Sequence, residues 1–223
     1  MSKLSLTLAC GDYEIVRALA EGKVVPDGVD LNVLTDMDST TRHWRFLRNQ
    51  EFDAAEISCS SYLVARDHDL PIDAIPVFLH RRFRHGFIFI NSTKGIRSPG
   101  DLAYRKIGVK QFQATAIVWM RGILQHEYGV PLNSIEWLCE LDETIEFVPR
   151  TDFKIARVPP DASIEQMLAD GAIDALLHPD LIRPLVENDP RVGRLFPDYH
   201  REELAFYQKT GIFPQRNTTG RTL

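Results

Sequence analysis

Cysteine is scarce in this chain of 223 residues, and its three copies are far apart, at positions 10, 59 and 139. An odd, dispersed set does not make a disulfide scaffold and suits a reducing compartment, so we expect mostly core thiols. The sequence also lacks an apolar run of the ~20 residues that a membrane-spanning helix needs. Its first 13 residues contain no apolar signal-peptide core, so we expect a cytoplasmic protein.

An excess of positive charge is absent too, because 26 Lys and Arg residues face 31 Asp and Glu residues, for a net charge of -5. We therefore expect no general attraction to nucleic acid or to an anionic membrane. No HExxH motif, Cys pair or other compact ligand spacing occurs, which predicts no metal and no cofactor. The acidic stretch around Glu140, Asp142 and Glu143 is interpreted as a solvated loop.

Against this background, residues 80–85 concentrate positive charge between two apolar, strand-like runs. This Arg/His segment holds His80, Arg81, Arg82, Arg84 and His85. A solvated hairpin bend would account for it, and so would a carboxylate-binding site on a rigid frame, because guanidinium groups pair well with carboxylates. The segment alone leaves both interpretations open.

Strand and helix patterns alternate along the chain, and 44% hydrophobic content allows a proper core. Helices are expected after residues 13, 38, 59, 115 and 163. Strands are expected at 3–9, 29–34, 52–58, 72–79, 87–90, 106–110, 135–139, 153–158 and 173–177. This alternation predicts α/β architecture.

The alternation falls into two series that separate near residues 91–98, which predicts two lobes. We expect lobe 1 at residues 1–92, with 187–223 returning to it, and lobe 2 at residues 93–186. Ligands of open α/β sheets bind beyond the carboxyl ends of the strands. The turns at Asp12, residues 58–60, residues 111–115 and His178 are therefore expected to face one cleft between the lobes. Backbone amides at the helix start near Thr115 could receive an anion there.

Six ordered motifs carry a resemblance over about residues 1 to 214. They are LACGDY at 8–13, FDAAEISCSSY at 52–62, PVFLHRRFRH at 76–85, IGV at 107–109, GAIDA at 171–175 and YQKTGIFP at 207–214. With them the sequence resembles the 4,5-dihydroxyphthalate decarboxylase family, enzymes of phthalate degradation. The resemblance implies an α/β, two-lobed, type II periplasmic-binding-protein-like fold and non-oxidative loss of carbon dioxide from 4,5-dihydroxyphthalate, giving 3,4-dihydroxybenzoate.

The end of the chain departs from that resemblance. Similar proteins continue beyond the YQKTGIFP motif, whereas residues 215–223 here are polar and end abruptly. We expect this tail to be truncated or frame-shifted and to leave lobe 1 incomplete at the C-terminus.

The implied chemistry needs a carboxylate anchor, and Arg81 and Arg82 are the candidates. Adjacent strand residues point to opposite faces. If the strand is regular, only one group faces the substrate: either Arg82 and Arg84 with His80, or Arg81 with His85.

It also needs a base and an acid, for which His80, His85 and His178 are the candidates because imidazole titrates near neutrality. Asp12 and Glu56 could take a phenolic proton or hold a histidine tautomer; the alternatives are a helix cap for Asp12 and a polar strand face for Glu56. Five further side chains could donate hydrogen bonds to substrate oxygens, or serve only as caps and turns: Ser58, Ser60, Gln111, Gln113 and Thr115.

Three function classes remain open: an aromatic-acid decarboxylase, a solute-binding protein for an aromatic carboxylate, and a catalytically idle remnant. The expected partner is a small aromatic dicarboxylate, and a homo-oligomer is compatible with the sequence. The missing signal peptide counts against the solute-binding protein.

Overall fold

The computed structural model describes residues 2–149 and 152–222, and these residues form two compact units. The first unit comprises the chain up to Arg81, the short segment Thr144–Glu146 and the chain from Gln215 onward. The second unit comprises Arg82–Glu143 and Phe147–Pro214. No helix among the described residues is long and apolar enough to cross a membrane.

The first unit begins with a strand–helix alternation. Its elements are β1 (Leu4–Ala9), α1 (Glu14–Ala20), β2 (Val29–Leu34), α2 (Ser39–Asn49), β3 (Ala54–Ser58), α3 (Cys59–Asp67) and β4 (Ile72–Arg81). As predicted, Asp38 starts α2, where its carboxylate accepts hydrogen bonds from the amides of Thr40 and Thr41. The helix then buries Phe46 and Leu47 in the core of the unit.

The second unit alternates in the same way. Its elements are β5 (Ile88–Asn91), β6 (Lys106–Val109), α4 (Thr115–His126), β7 (Glu136–Cys139), β8 (Lys154–Arg157), α5 (Ile164–Ala169), β9 (Ala175–Leu177), α6 (Arg183–Val186), β10 (Val192–Arg194) and α7 (Tyr199–Thr210). The predicted apolar face of α4 is confirmed, since Ile117, Met120 and Leu124 are buried. The last strand, β11 (Gln215–Thr222), belongs to the first unit.

The first sheet has the strand order β2-β1-β3-β11-β4. Strand β1 runs parallel to β2 and to β3, so the carboxyl ends of these strands lie on the same side of the sheet. The turn after Ala9 and the start of α3 after Ser58 are on that side. The side chains of residues 10–13 and 58–60 are therefore brought to a common end of the first sheet.

The polar tail, for which the sequence indicated no strand, forms β11 between β3 and β4 over residues 215–222. Threonine favours strands, and the hydroxyls of Thr218 and Thr219 donate to the carbonyls of Ile75 and Val77 in β4. Gly220 admits this strand, since a Cβ there would lie 2.8 Å from the Ile57 side chain. The polar tail is thus a buried inner strand of the first sheet.

The second sheet has the order β10-β5-β9-β6-β7-β8, in which β6, β7, β8 and β9 are parallel and β5 and β10 are antiparallel to their neighbours. Helix α5 packs closely on it at Gly108, where a Cβ would lie 2.7 Å from Ile164. Strand β9 is fully buried and leads directly into His178.

The division between the units differs from the predicted lobe boundaries at 92 and 187. Strands β5 and β10 pair with each other, and β5 pairs with β9, so these segments belong to the second sheet. The change of unit falls between Arg81 and Arg82, and the chain returns to the first unit briefly at Thr144–Glu146 and finally at Gln215. The predicted cleft between two lobes stays a prediction.

Candidate functional site

A buried carboxylate, Glu56 on β3, is the centre of a polar cluster at the end of the first sheet. It accepts hydrogen bonds from the Gly11 amide at 2.9 Å, the Tyr13 hydroxyl at 2.7 Å and the Arg42 guanidinium at 2.7 Å. The Asn217 side-chain amide on β11 donates a short fourth bond. These five residues are called the Glu56 cluster below.

The Glu56 carboxylate is ionised at neutral pH. Burial by itself would raise the pKa of Glu56, but the Arg42 charge and the hydrogen bonds from Asn217, Tyr13 and Gly11 outweigh it and hold the pKa below its usual value. Arg42 is as deeply buried as its partner, so the pair is a desolvated ion pair. Glu56 is therefore a fixed negative charge, and the interpretation as a polar strand face is wrong.

Tyr13 is held against this carboxylate by the backbone as well as by its hydroxyl. Its ring lies so close to Gly11 that a Cβ at that position would be 2.8 Å from two ring atoms. Burial and the Glu56 charge raise the pKa of the Tyr13 hydroxyl, which keeps the phenol neutral. The other side of the ring is next to His80, with ring centroids 5.9 Å apart.

His80 and the two predicted serines lie in the same unit. His80, near the end of β4, has its Nδ1 atom 3.4 Å from the Arg216 guanidinium on β11. The hydroxyls of Ser58 and Ser60 are 3.2 Å apart at the start of α3. The structure thus places three predicted site residues in one unit with the Glu56 cluster.

Asp12 takes a different position from the one predicted. The N-cap of α1 is Tyr13, which makes no side-chain cap bond, and Asp12 itself is exposed. The predicted helix cap is therefore wrong, and the Gly11–Tyr13 turn orients Tyr13 toward Glu56 instead. Sequence reasoning did not single out Tyr13, Arg42 or Asn217. Tyr13 lies in one of the quoted motifs, whereas a lone Arg in a polar helix or Asn in a polar tail gives no signal.

In the second unit, two arginines of the Arg/His segment contact the turn after β9. Arg84 is fully buried and donates to the Pro179 carbonyl at 3.0 Å. The Arg82 side chain is 41% exposed and lies 3.4 Å from the Asp180 carboxylate. Both guanidinium groups lie over the Phe87 ring, at 5.2 and 5.6 Å from its centroid. This group, with His178, is called the His178 cluster.

His178 itself is buried at the end of β9, and its Nδ1 atom contacts the backbone of Asp180. Its Nδ1 atom lies 2.8 Å from the Asp180 carbonyl oxygen, which can only accept. The Asp180 amide lies 3.2 Å from the same nitrogen. A protonated Nδ1 would donate to the carbonyl and leave Nε2 as an acceptor, whereas an unprotonated Nδ1 would accept from the amide. Burial lowers the pKa of His178, although the bond to the Asp180 backbone opposes the shift. The imidazole is therefore neutral near pH 7.

His85 does not join either cluster. It is 1% exposed, and its ring packs against Phe196 and Phe206 with centroids 5.4 and 5.5 Å away. Burial lowers its pKa to about 4. Neither ring nitrogen has a hydrogen-bond partner among the described residues. This placement does not support the predicted catalytic role, because almost none of the side chain is exposed.

The predicted alternation through the Arg/His segment does not apply, because β4 ends at Arg81. Arg82 and Arg84 share partners through the turn after β9, not through strand parity. Arg81 is exposed and lies over the Phe78 ring, at 5.8 Å from its centroid.

Backbone amides just before α4 already donate hydrogen bonds to a carboxyl group of this chain. Glu143 accepts hydrogen bonds from the backbone amides of Phe112 and Gln113, and the Gln111 side chain donates to the Asp142 carbonyl. Gln113 and Thr115 are both buried. The prediction of a wholly solvated acidic loop is therefore wrong at Glu143, whose carboxylate takes two of the amides that were expected to receive a ligand.

The described residues contain no group of three or more His, Cys, Asp or Glu side chains that could hold a metal ion. Two of the three cysteines, Cys10 and Cys139, are buried, and Cys59 is half-buried. The cysteines accordingly sit mainly in the core, as expected.

The comparison with solved structures shows the fold. The chain matches the periplasmic aliphatic sulphonate binding protein SsuA from Escherichia coli with a TM-score of 0.59 and 12% identity, over 99% of this chain and 66% of that one. The alkanesulfonate-binding protein SsuA from Xanthomonas axonopodis, bound to MOPS, gives a TM-score of 0.56 at 11% identity, over 100% and 66%. The predicted α/β fold of the periplasmic-binding-protein type is confirmed. The chain spans about two thirds of the length of these structures.

Comparison with curated proteins gives sequence relatives, although no family model matches the chain. A 4,5-dihydroxyphthalate decarboxylase of Comamonas testosteroni is 35% identical over 227 residues, covering 99% of this chain and 68% of the relative. A protein of the same name from Pseudomonas putida is 33% identical over 206 residues, covering 89% and 79%. The chain belongs to the 4,5-dihydroxyphthalate decarboxylase family.

Proposed function

We propose that the chain is a carboxy-lyase that converts 4,5-dihydroxyphthalate to 3,4-dihydroxybenzoate and carbon dioxide. The observation that carries this proposal is the identity of 35% and 33% to two relatives that are named for this activity. The Glu56 and His178 clusters support it, because they supply a fixed charge, cations and a neutral imidazole.

The reaction needs no oxidant. One ring hydroxyl of the substrate is para to the departing carboxylate, so its deprotonation pushes electron density onto the ring carbon that bears that carboxylate. This carbon accepts a proton, the bond to the carboxylate breaks, and its electron pair restores the aromatic ring as carbon dioxide leaves. One proton replaces one carbon dioxide, and a base and an acid are the only catalysts required.

Arg82 is the preferred carboxylate anchor in this proposal. Its guanidinium is partly exposed, and its contact with Asp180 is long enough, at 3.4 Å, to be exchanged for a substrate carboxylate. A guanidinium can hold a carboxylate through two parallel hydrogen bonds, which orients it as well as binding it. Arg81 is exposed and remains the second candidate.

His178 is the preferred base for the ring hydroxyl. Its neutral imidazole carries one unprotonated ring nitrogen, which is Nε2 in the tautomer that donates from Nδ1 to the Asp180 carbonyl. His80 is the second candidate for proton transfer, because it is half-buried next to Tyr13 and Arg216. Ser58, Ser60, Gln111, Gln113 and Thr115 stay predicted contacts to substrate oxygens.

A second candidate function is a solute-binding protein for an aromatic carboxylate. The observation that favours it is the likeness of the fold to two sulfonate-binding proteins. Such a function requires an anion site but no proton transfer.

Carbon dioxide release from carboxyl-labelled 4,5-dihydroxyphthalate separates the two functions. The decarboxylase predicts release of one equivalent with formation of 3,4-dihydroxybenzoate. Saturable binding of the labelled acid with full retention of the label, over a broad pH range, would favour the binding protein and sink the decarboxylase.

A further inference from the structure

Tyr13 is the member of the Glu56 cluster that can meet a ligand. Glu56 and Arg42 are buried, whereas Tyr13 is only partly buried. The Tyr13 ring is also next to the predicted site residue His80. Any ligand in this part of the first unit would therefore contact the phenol, not the carboxylate behind it.

The direction of the Tyr13 hydrogen bond is fixed. Glu56 is an ionised carboxylate, which has no proton to donate, so the 2.7 Å bond must use the phenol hydrogen. The phenol has only one hydrogen, and its oxygen keeps lone pairs for other partners. Toward a ligand, the Tyr13 oxygen can therefore act only as a hydrogen-bond acceptor.

The surrounding structure keeps the phenol in this orientation. The ring rests on Gly11, where a Cβ would require the ring to shift, and the Gly11 amide donates to the same carboxylate. Arg42 and Asn217 hold the carboxylate from other sides. The acceptor is thus preorganised, so ligand binding carries no additional entropy cost for ordering the Tyr13 side chain.

We propose that Tyr13 is a specificity-determining residue that accepts a hydrogen bond from a ring hydroxyl of the substrate. This inference rests on the proposed function, because it assigns the hydroxyls of a dihydroxylated aromatic acid to a preorganised acceptor. The group it recognises is a hydroxyl donor on the ring. An aromatic acid without such a hydroxyl leaves the Tyr13 oxygen without that partner, and a site built for a hydroxyl discriminates against such analogues.

The test compares two ligands with two proteins by titration calorimetry. The ligands are 4,5-dihydroxyphthalate and phthalate, which differ only in the ring hydroxyls, and the proteins are the full chain and its Tyr13→Phe variant. We expect the full chain to bind the dihydroxylated acid at least tenfold more tightly than phthalate. Tyr13→Phe should lose most of this preference and keep its affinity for phthalate.

The matched control is Tyr62→Phe, which removes a phenol oxygen from the same unit, at a ring that packs on the hydrophobic core of that unit. It should keep the full preference. A second variant, Gly11→Ala, keeps the Tyr13 hydroxyl but pushes its ring away, since the new Cβ would be 2.8 Å from the ring. It should lose the preference as Tyr13→Phe does, and it covers the case in which Tyr13→Phe does not fold.

Two results would overturn the inference. One is an equal preference in the full chain and the Tyr13→Phe variant; the other is an equal loss of affinity for both acids. Carbon dioxide release by the full chain is measured alongside. If release occurs while the preference is unchanged by the variants, the role of Tyr13 fails and the proposed function stands.

Discussion

At the scale of single residues, the members of the Arg/His segment have different surroundings. Its members separate into the exposed Arg81, the Asp180-linked Arg82, the buried Arg84 and the enclosed His85. The sequence showed the concentration of positive charge at residues 80–85. Strand alternation does not assign these residues to two faces, because β4 ends at Arg81. Partners 95 or more residues away determine the surroundings of Arg82 and Arg84, and a local pattern cannot show such partners.

The carboxylate anchor gives a first prediction. Replacing Arg82 by alanine should weaken binding of 4,5-dihydroxyphthalate about tenfold or more, because a charge-assisted bidentate contact is lost. Arg97→Ala removes another exposed arginine of the second unit and is the matched control. Binding is measured by titration calorimetry. If neither Arg81→Ala nor Arg82→Ala changes the binding free energy by more than about 0.5 kcal/mol, a typical effect of a surface substitution, the anchor assignment fails.

The proposed base gives a second prediction. His178→Gln should lower kcat by about 10² to 10⁴, the usual contribution of a general base, with a smaller effect on KM. Burial lowers the pKa of His178 from its ordinary value of 6.5. Because the base acts as the neutral form, activity should be lost only as pH falls below 6.5. An acid limb at or above pH 6.5 in the kcat/KM profile, or a fully active His178→Gln variant, would contradict the assignment.

At the scale of elements, Glu56 and Arg42 join β3 to α2 through a buried ion pair. Removing one partner of such a pair leaves an uncompensated charge and typically costs about 3–5 kcal/mol. We therefore expect Glu56→Gln to lose stability of this order in urea unfolding at pH 7. The matched control is Glu51→Gln, which breaks the more exposed Arg45–Glu51 pair of the same unit and should have a much smaller effect.

The same pair predicts a pH dependence. The pKa of Glu56 is lowered by its partners in the folded chain. Its stabilising contribution is thus present above the unfolded-state pKa and is lost as pH falls through the folded-state pKa. Equal losses for Glu56→Gln and Glu51→Gln at pH 7 would show that the buried pair is not the link between these elements.

The turn at residues 85–87 and helix α7 meet at His85, whose burial gives a stability signature. The unfolded chain binds a proton at His85 below pH 6.5, whereas the folded chain does so only near pH 4. Stability is therefore complete above pH 6.5 and falls by about 3 kcal/mol as the pH drops toward 4. Phenylalanine keeps the aromatic packing without titrating.

Urea unfolding between pH 4 and 7 measures this effect. His85→Phe should flatten the dependence by the stated amount, and His68→Phe, which changes an exposed histidine, should keep the wild-type slope. An unchanged slope in His85→Phe would mean that His85 is not the enclosed neutral imidazole described here.

Element prediction from sequence succeeded where the signal is local. The cap at Asp38 and the buried face of α4 depend on residues within a few positions. Strand β11 was missed because Gln215–Thr222 is polar, and its strand-forming threonines satisfy their hydroxyls on β4, more than 140 residues earlier. Glu56 was likewise visible as a carboxylate in a strand, but its donors come from α2, β11 and the turn after β1.

At the scale of the whole molecule, alternating strands and helices predicted the α/β fold, and the sheets of both units confirm it. The point at which the chain changes unit could not be read locally. Residues 88–91 look like any buried strand, and their membership of the second sheet depends on pairing with Ala175–Leu177 and Val192–Arg194.

The central claim is that this chain replaces one carboxylate of 4,5-dihydroxyphthalate by a proton. Incubating the full chain with this acid in D₂O and following the ring signals by NMR tests the claim directly. The account predicts conversion to 3,4-dihydroxybenzoate with one deuterium at the ring carbon that lost the carboxylate, together with one equivalent of carbon dioxide. Saturable binding with the substrate signals unchanged would contradict it.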